Sequence, residues 1–235
     1  MSIILAIETS TELASAALWR DQQCSTLETS GVQTHSASIL PMVQKLLTEA
    51  GLRLNQCDAI AFGCGPGSFT GVRTACGVAQ GLAFGAQLPV VPIVTLEAMA
   101  EACRVTSGAT DVVAVLDARM QEAYWAHYRY DAGWQVVTEP TLSAPEAISV
   151  QAETIGCGNG FLAFADAFAG RPFALHANGT IIPHARYIAQ LAQVAVTQGR
   201  TLQAEFAQPL YLRNHVAYTS AERAARAAGR LQGTS

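Results

Sequence analysis

Residues 63–71, Gly-Cys-Gly-Pro-Gly-Ser-Phe-Thr-Gly, carry the densest chemical signal in the chain. An apolar strand pattern over 59–62 runs into this turn, and an Ala/Gly-rich helix pattern starts near Ser68. Glycines let the backbone approach another group closely, and a helix start offers unpaired N–H groups. Such a turn suits a phosphate, a closely docked partner backbone or, most plainly, tight strand-to-helix packing. No Gly-Lys-Ser/Thr follows the glycines, so the segment is not a P-loop, and it is out of register for a dinucleotide fingerprint. Two carboxylates, Glu8 and Asp117, end apolar strand patterns. Acids placed there can hold a magnesium ion through water if the next turn is glycine-rich. The turns that follow, Thr9-Ser10-Thr11 and Ala118-Arg119-Met120, contain no glycine, and a Cβ there obstructs a phosphate. Glu8, Thr9, Gly65, Gly67 and Asp117 are thus either polar strand ends and packing turns or a vestigial nucleotide site.

Other constellations are sparse. No two of His35, His127, His176, His184 and His215 have the i, i+3 or i, i+4 spacing of a helical metal pair, so no metal site is expected. Ser68 is explained by helix capping, and neither a nucleophile elbow nor a Ser-x-x-Lys pattern is present. The six cysteines are scattered without a Cys-x-x-Cys pair and read as free thiols of a reducing compartment.

Half of the 235 residues are hydrophobic and 14% are charged, with a net charge of −4. The chain can bury a core but has no basic excess for gripping nucleic acid unaided. The N-terminal apolar run is too short for a signal peptide, and no stretch reaches membrane-spanning length. A cytoplasmic location is expected.

The elements that must position these residues follow from periodicity. Strands are expected at 3–7, 14–19 and 23–29, with Arg20-Asp21 as a hairpin turn. A helix capped by Thr34 or Ser36 runs to about Ala50, then come a strand at 59–63, a helix at 68–85, a strand at 89–94 and a helix at 96–104. Three strands, helix, strand, helix, strand, helix is the ribonuclease-H-like order. The second half repeats it in shortened form: strands at 111–116, 123–130 and 134–140, a short helix at 145–149, a strand at 154–157, a helix at 160–168 and a last helix at 184–197. The expected fold is therefore α/β and two-lobed, a duplicated ribonuclease-H-like architecture as in the actin/Hsp70/sugar-kinase superfamily. The lobes span residues 1–105 and 106–210, and an Ala/Arg-rich tail spans 211–235.

Ile4–Ser10, His35 with Leu40–Val43, Gly65–Arg73, Asp117–Met120 and Tyr211–Asn214 occur in the order and character of one family. The chain resembles the TsaB (YeaZ) proteins, non-catalytic paralogues of TsaD, over nearly its whole length. The resemblance implies a part in threonylcarbamoylation of N6 of the adenosine 3′ of the anticodon in tRNAs reading A-starting codons. In that role it would be scaffold or activator of the catalytic TsaD, alongside the ATPase TsaE. TsaD carries a His-x-x-x-His metal pair where this chain has Thr95 and Met99, so the resemblance implies a chain with no catalytic residues or cofactor of its own. ATP and metal then belong to the partner subunits, and tRNA is met only within the complex. A self-sufficient ATPase or kinase and a glycoprotease-like peptidase are the alternatives. In the family the N-terminal helices pair with TsaD, or with a second TsaB when TsaD is absent. The expected interface here is Ile39, Met42, Val43, Phe69, Val72, Arg73, Ala75 and Cys76. Arginine at Val72 or Ala75 is then expected to abolish partner binding and spare the fold.

Overall fold

A computed structural model describes residues 2–31 and 35–213. Thr34, one of the two cap candidates, and the tail from 214 onward lie outside the described residues. Two sheets organise the rest. The first has the order β3-β2-β1-β4-β5, built from β1 (Ile4–Glu8), β2 (Leu13–Arg20), β3 (Gln23–Ser30), β4 (Ala59–Gly65) and β5 (Val90–Val94). β1 pairs antiparallel with β2 and parallel with β4. The second has the order β8-β7-β6-β9, from β6 (Asp111–Asp117), β7 (Ala123–Tyr130), β8 (Trp134–Ser143) and β9 (Ile155–Cys157). β6 again pairs antiparallel with the next strand and parallel with a later one, so the second sheet repeats the first without its fifth strand. The duplicated two-lobed α/β fold is as expected.

The strands lie where apolar runs place them. β1 is fully buried because both of its faces are covered. Leu5 and Ile7 point toward α1 (His35–Glu49) and α2 (Phe69–Ala86), whereas Ile4 and Ala6 point toward α6 (Ala185–Thr197). The first hairpin turns at Asp21-Gln22, one residue later than expected, with both residues left-handed (φ 51° and 62°) as a two-residue hairpin requires. The helix expected over 160–168 is broken at Phe164 into α4 (Gly160–Ala163) and α5 (Ala165–Phe168).

The expected boundary at 105/106 does not divide the core. α3 (Thr95–Ser107) packs Leu96, Met99 and Cys103 onto the second sheet, against Val112, Ala114 and Tyr128. α6, which follows the second sheet in sequence, packs Ile188, Ala189 and Ala192 onto the first. Each helix thus covers the sheet of the other half, and they are tied where buried Glu101 meets α6. Its carboxylate accepts hydrogen bonds from Arg104 (2.7 and 2.9 Å), Trp134 Nε1 (2.9 Å) and Gln190 Nε2 (2.7 Å). The remaining face of the second sheet is closed by Phe161, Phe168 and Phe173.

Candidate functional site

The glycine-rich segment is held against the end of β1. A Cβ on Gly63 would lie 1.8 Å from Glu8 Oε2, one on Gly67 2.6 Å from Ser10 O, and one on Gly71 2.0 Å from Thr9 O. Backbone and side-chain bonds lock the same contact: Ser68 N donates to Ser10 O (2.7 Å) and Thr9 Oγ1 donates to Gly71 O (2.7 Å). Ser68 also caps α2, accepting from Gly71 N. The first-lobe turn is therefore filled by its own chain. The absence of glycine in Thr9-Ser10-Thr11 is matched by glycines across from it, so this turn does not fit a phosphate.

Glu8 is wholly buried, 0% exposed, and sits beneath that turn. Oε1 accepts from Ser10 N at 2.5 Å, and Oε2 lies 3.5 Å from Thr95 Oγ1, which itself accepts from Gly65 N at 3.1 Å. Burial raises its pKa above the ordinary glutamate value, against the smaller lowering effect of these hydrogen bonds. Burial, with Glu8 as a further cause, pushes the neighbouring Cys64 thiol up to about 12, so Cys64 is not a nucleophile at neutral pH.

Asp117 occupies the matching place in the second lobe, but it faces an arginine. Its carboxylate accepts from Arg119 N (2.7 Å) and pairs with the Arg119 guanidinium (3.1 Å), which also reaches Glu12 of the first lobe (2.7 Å). Arg119, Met120 and Gln121 are all left-handed (φ 61°, 58° and 62°), a conformation that costs non-glycine residues about 1–3 kcal/mol each. Between the two turns lies a cleft of about 390 Å³, lined on one side by Ser10, Thr11 and Phe69 and on the other by Asp117, Arg119 and Tyr124. Of the five suggested nucleotide-site residues, Gly67 and Asp117 line this cleft; Glu8 is sealed under it.

The expected partner-interface residues divide in two. Ile39, Met42, Val43, Ala75 and Cys76 are buried against the first sheet, with Ala75 0% exposed, and Val72 is buried at the base of the cleft beside Gly65. Arginine at Val72 or Ala75 would therefore disrupt the core, which corrects the expectation that the fold would tolerate it. Small residues on α2 do two different jobs according to phase. Ala75, Ala79 and Ala83 face the sheet, whereas Gly77, Gly81 and Gly85 face outward with nothing within 4 Å of where a Cβ would stand. Phe69 and Arg73 are exposed as expected, with the Arg73 guanidinium 3.5 Å from the Phe69 ring centroid. Leu40 on α1 and Phe84 on α2, which is 75% exposed, belong to the outer faces too and were missed. The i, i+4, i+8 glycine spacing was the available signal, but it is hidden beside an alanine series of the same period.

Comparison with known proteins places this geometry. The chain is 39% identical to the tRNA threonylcarbamoyladenosine biosynthesis protein TsaB of Escherichia coli K12 over 222 residues, 92% of this chain and 96% of that one. The chain belongs to the TsaB family. The TsaB of Haemophilus influenzae is 40% identical, again over 92% of this chain and 95% of its own length. Residues 26–160 also match the family described as TsaD, tRNA N6-adenosine threonylcarbamoyltransferase. Among solved structures, YeaZ from Pseudomonas aeruginosa superposes with a TM-score of 0.84 at 38% identity, covering 90% of this chain and all of that one. In this TsaB-family chain the two positions set against the TsaD histidine pair serve packing. Thr95 holds Gly65 and Glu8, and Met99 is fully buried, with its Cε 2.5 Å from where a Cβ on Gly158 would sit. Among the described residues no three His, Cys, Asp or Glu side chains converge as a metal site, and no helix is long and apolar enough to cross a membrane.

Proposed function

We propose that the chain is a non-catalytic subunit in threonylcarbamoylation of N6 of the adenosine 3′ of the anticodon in tRNAs reading A-starting codons. It serves as scaffold and activator of a TsaD-type transferase, together with a TsaE-type ATPase, in the cytoplasm. The family supports the pathway, and the filled first-lobe turn supports a role without nucleotide chemistry; ATP and metal belong to the partners, and tRNA is met in the complex.

The observation that carries the scaffold role is the outer face of α2. A glycine inside a helix costs roughly 0.5–1 kcal/mol relative to alanine. Gly77, Gly81 and Gly85 have no contact within the chain that would require the missing Cβ. A partner helix lying on them needs that space, and exposed Phe84 on the same helix supplies an apolar anchor. The same face serves a second copy of the chain when the transferase is absent.

Calorimetric titration of a TsaD-type subunit with the Gly77→Arg and Gly81→Arg variants tests this assignment. The substitutions should weaken binding at least 100-fold while the melting temperature stays level or rises. Unchanged affinity in both would place the interface elsewhere.

A further inference from the structure

After α6 the chain stays on the first lobe. Leu202 bridges Val90 at the edge of the first sheet, and Gln80 Nε2 of α2 donates to Ala204 O (3.0 Å). Leu210 N then donates to Cys64 O (2.7 Å) at the end of β4, and Gly65 leaves room for the Leu210 carbonyl, which a Cβ there would meet at 2.9 Å. Up to this point the segment is bound to the first lobe alone.

The next three residues cross the cleft. The Tyr211 hydroxyl accepts from Arg73 Nε (2.6 Å), and its ring lies 6.0 Å from that of Phe69, both on α2. Two residues later Arg213, its side chain only 16% exposed, donates to Glu122 Oε2 (2.5 Å) and reaches Met120 Sδ (3.3 Å) in the β6–β7 turn of the second lobe. The Arg119–Glu12 pair joins the same turn to the first lobe, but both side chains are more than half exposed, and such pairs contribute little in water. The half-buried Arg213 contact and the packed Tyr211 are the stronger ties. They grip a turn held in three consecutive left-handed residues.

We propose that residues 210–213 form a strap that fixes the angle between the two lobes, with the Arg119–Glu12 pair as a minor second tie. Two-lobed folds of this kind have a cleft whose walls can separate; here both walls are fastened to one short run of chain. The lobes then move as one body, and the cleft between them stays at its present width. The strap works independently of the docking role proposed above.

Hydrogen exchange on the full chain, read by mass spectrometry with small-angle scattering in parallel, tests the strap in Tyr211→Ala and Arg213→Ala, with Glu122→Gln as a milder variant. Release should raise exchange about tenfold on both walls, in the peptides containing Ser68 and residues 118–122, and should increase the radius of gyration. Amides of the β2–β3 hairpin, far from the cleft, should keep wild-type protection, which separates opening from unfolding. Arg213→Lys should restore most of the protection. A rise confined to residues 118–122, or no rise on either wall with an unchanged radius of gyration, would overturn the strap.

Discussion

Glu8 is the residue whose chemistry departs most from its type. A carboxyl with no exposed surface and no cation beside it keeps its proton to higher pH than the unfolded chain does. The folded state thus binds the extra proton, and stability falls as pH rises from the ordinary value of 4.5 toward the raised folded-state pKa. Glu8→Gln keeps the acceptor for Ser10 N but has no proton to lose. Urea unfolding between pH 4.5 and 8 should show a declining stability in the wild type and a flatter profile in the variant. The glycines give a second contrast at this scale. Gly71→Ala drives a Cβ to 2.0 Å from Thr9 O and should destabilise by about 1–3 kcal/mol. Gly77→Ala meets nothing and should stabilise by about 0.5–1 kcal/mol. Sequence alone shows both as small residues of an Ala/Gly-rich helix pattern and cannot separate them, because spacing records that a Cβ is missing and not what it would have met.

Elements were largely legible. Continuous apolar runs at β1, β4 and β6 and the period of α2 and α6 put nearly every strand and helix in place, since both signals are local. Which sheet a helix covers is not local. The amphipathic faces of α3 and α6 predict burial equally well against either sheet, and the exchange between the halves became visible only with tertiary contacts. The same limit explains the interface residues. Ile39, Met42, Val43, Ala75 and Cys76 are apolar or small and lie on the helices expected to meet a partner, but their own sheet claims them first. The exchanged helices also make Glu101 an element-level joint between α3, β8 and α6. Glu101→Ala leaves the Arg104 charge unpaired and the Trp134 and Gln190 donors without their acceptor. It should cost about 3–5 kcal/mol in denaturant unfolding, the order expected for breaking a buried ion pair. Glu101→Gln, which keeps one acceptor oxygen, should lose less.

At the scale of the molecule, the two lobes of the duplicated fold are packed differently at their matching turns. The first-lobe turn is packed full by Gly67, Ser68 and Gly71, and the positions set against the metal pair of TsaD hold up the core. Open besides the cleft is the outer face of α2, with its uncovered glycines and exposed Phe84. The proposed docking role asks that face to bind the transferase and leaves the chemistry to the partner. The most direct measurement is threonylcarbamoylation of tRNA by purified TsaD- and TsaE-type partners, with no added chain, with the wild type and with Gly81→Arg. The predicted result is robust modification with the wild type, and with Gly81→Arg a rate no higher than that without the chain. Full modification in the absence of the chain, or undiminished modification with the variant, would contradict the account.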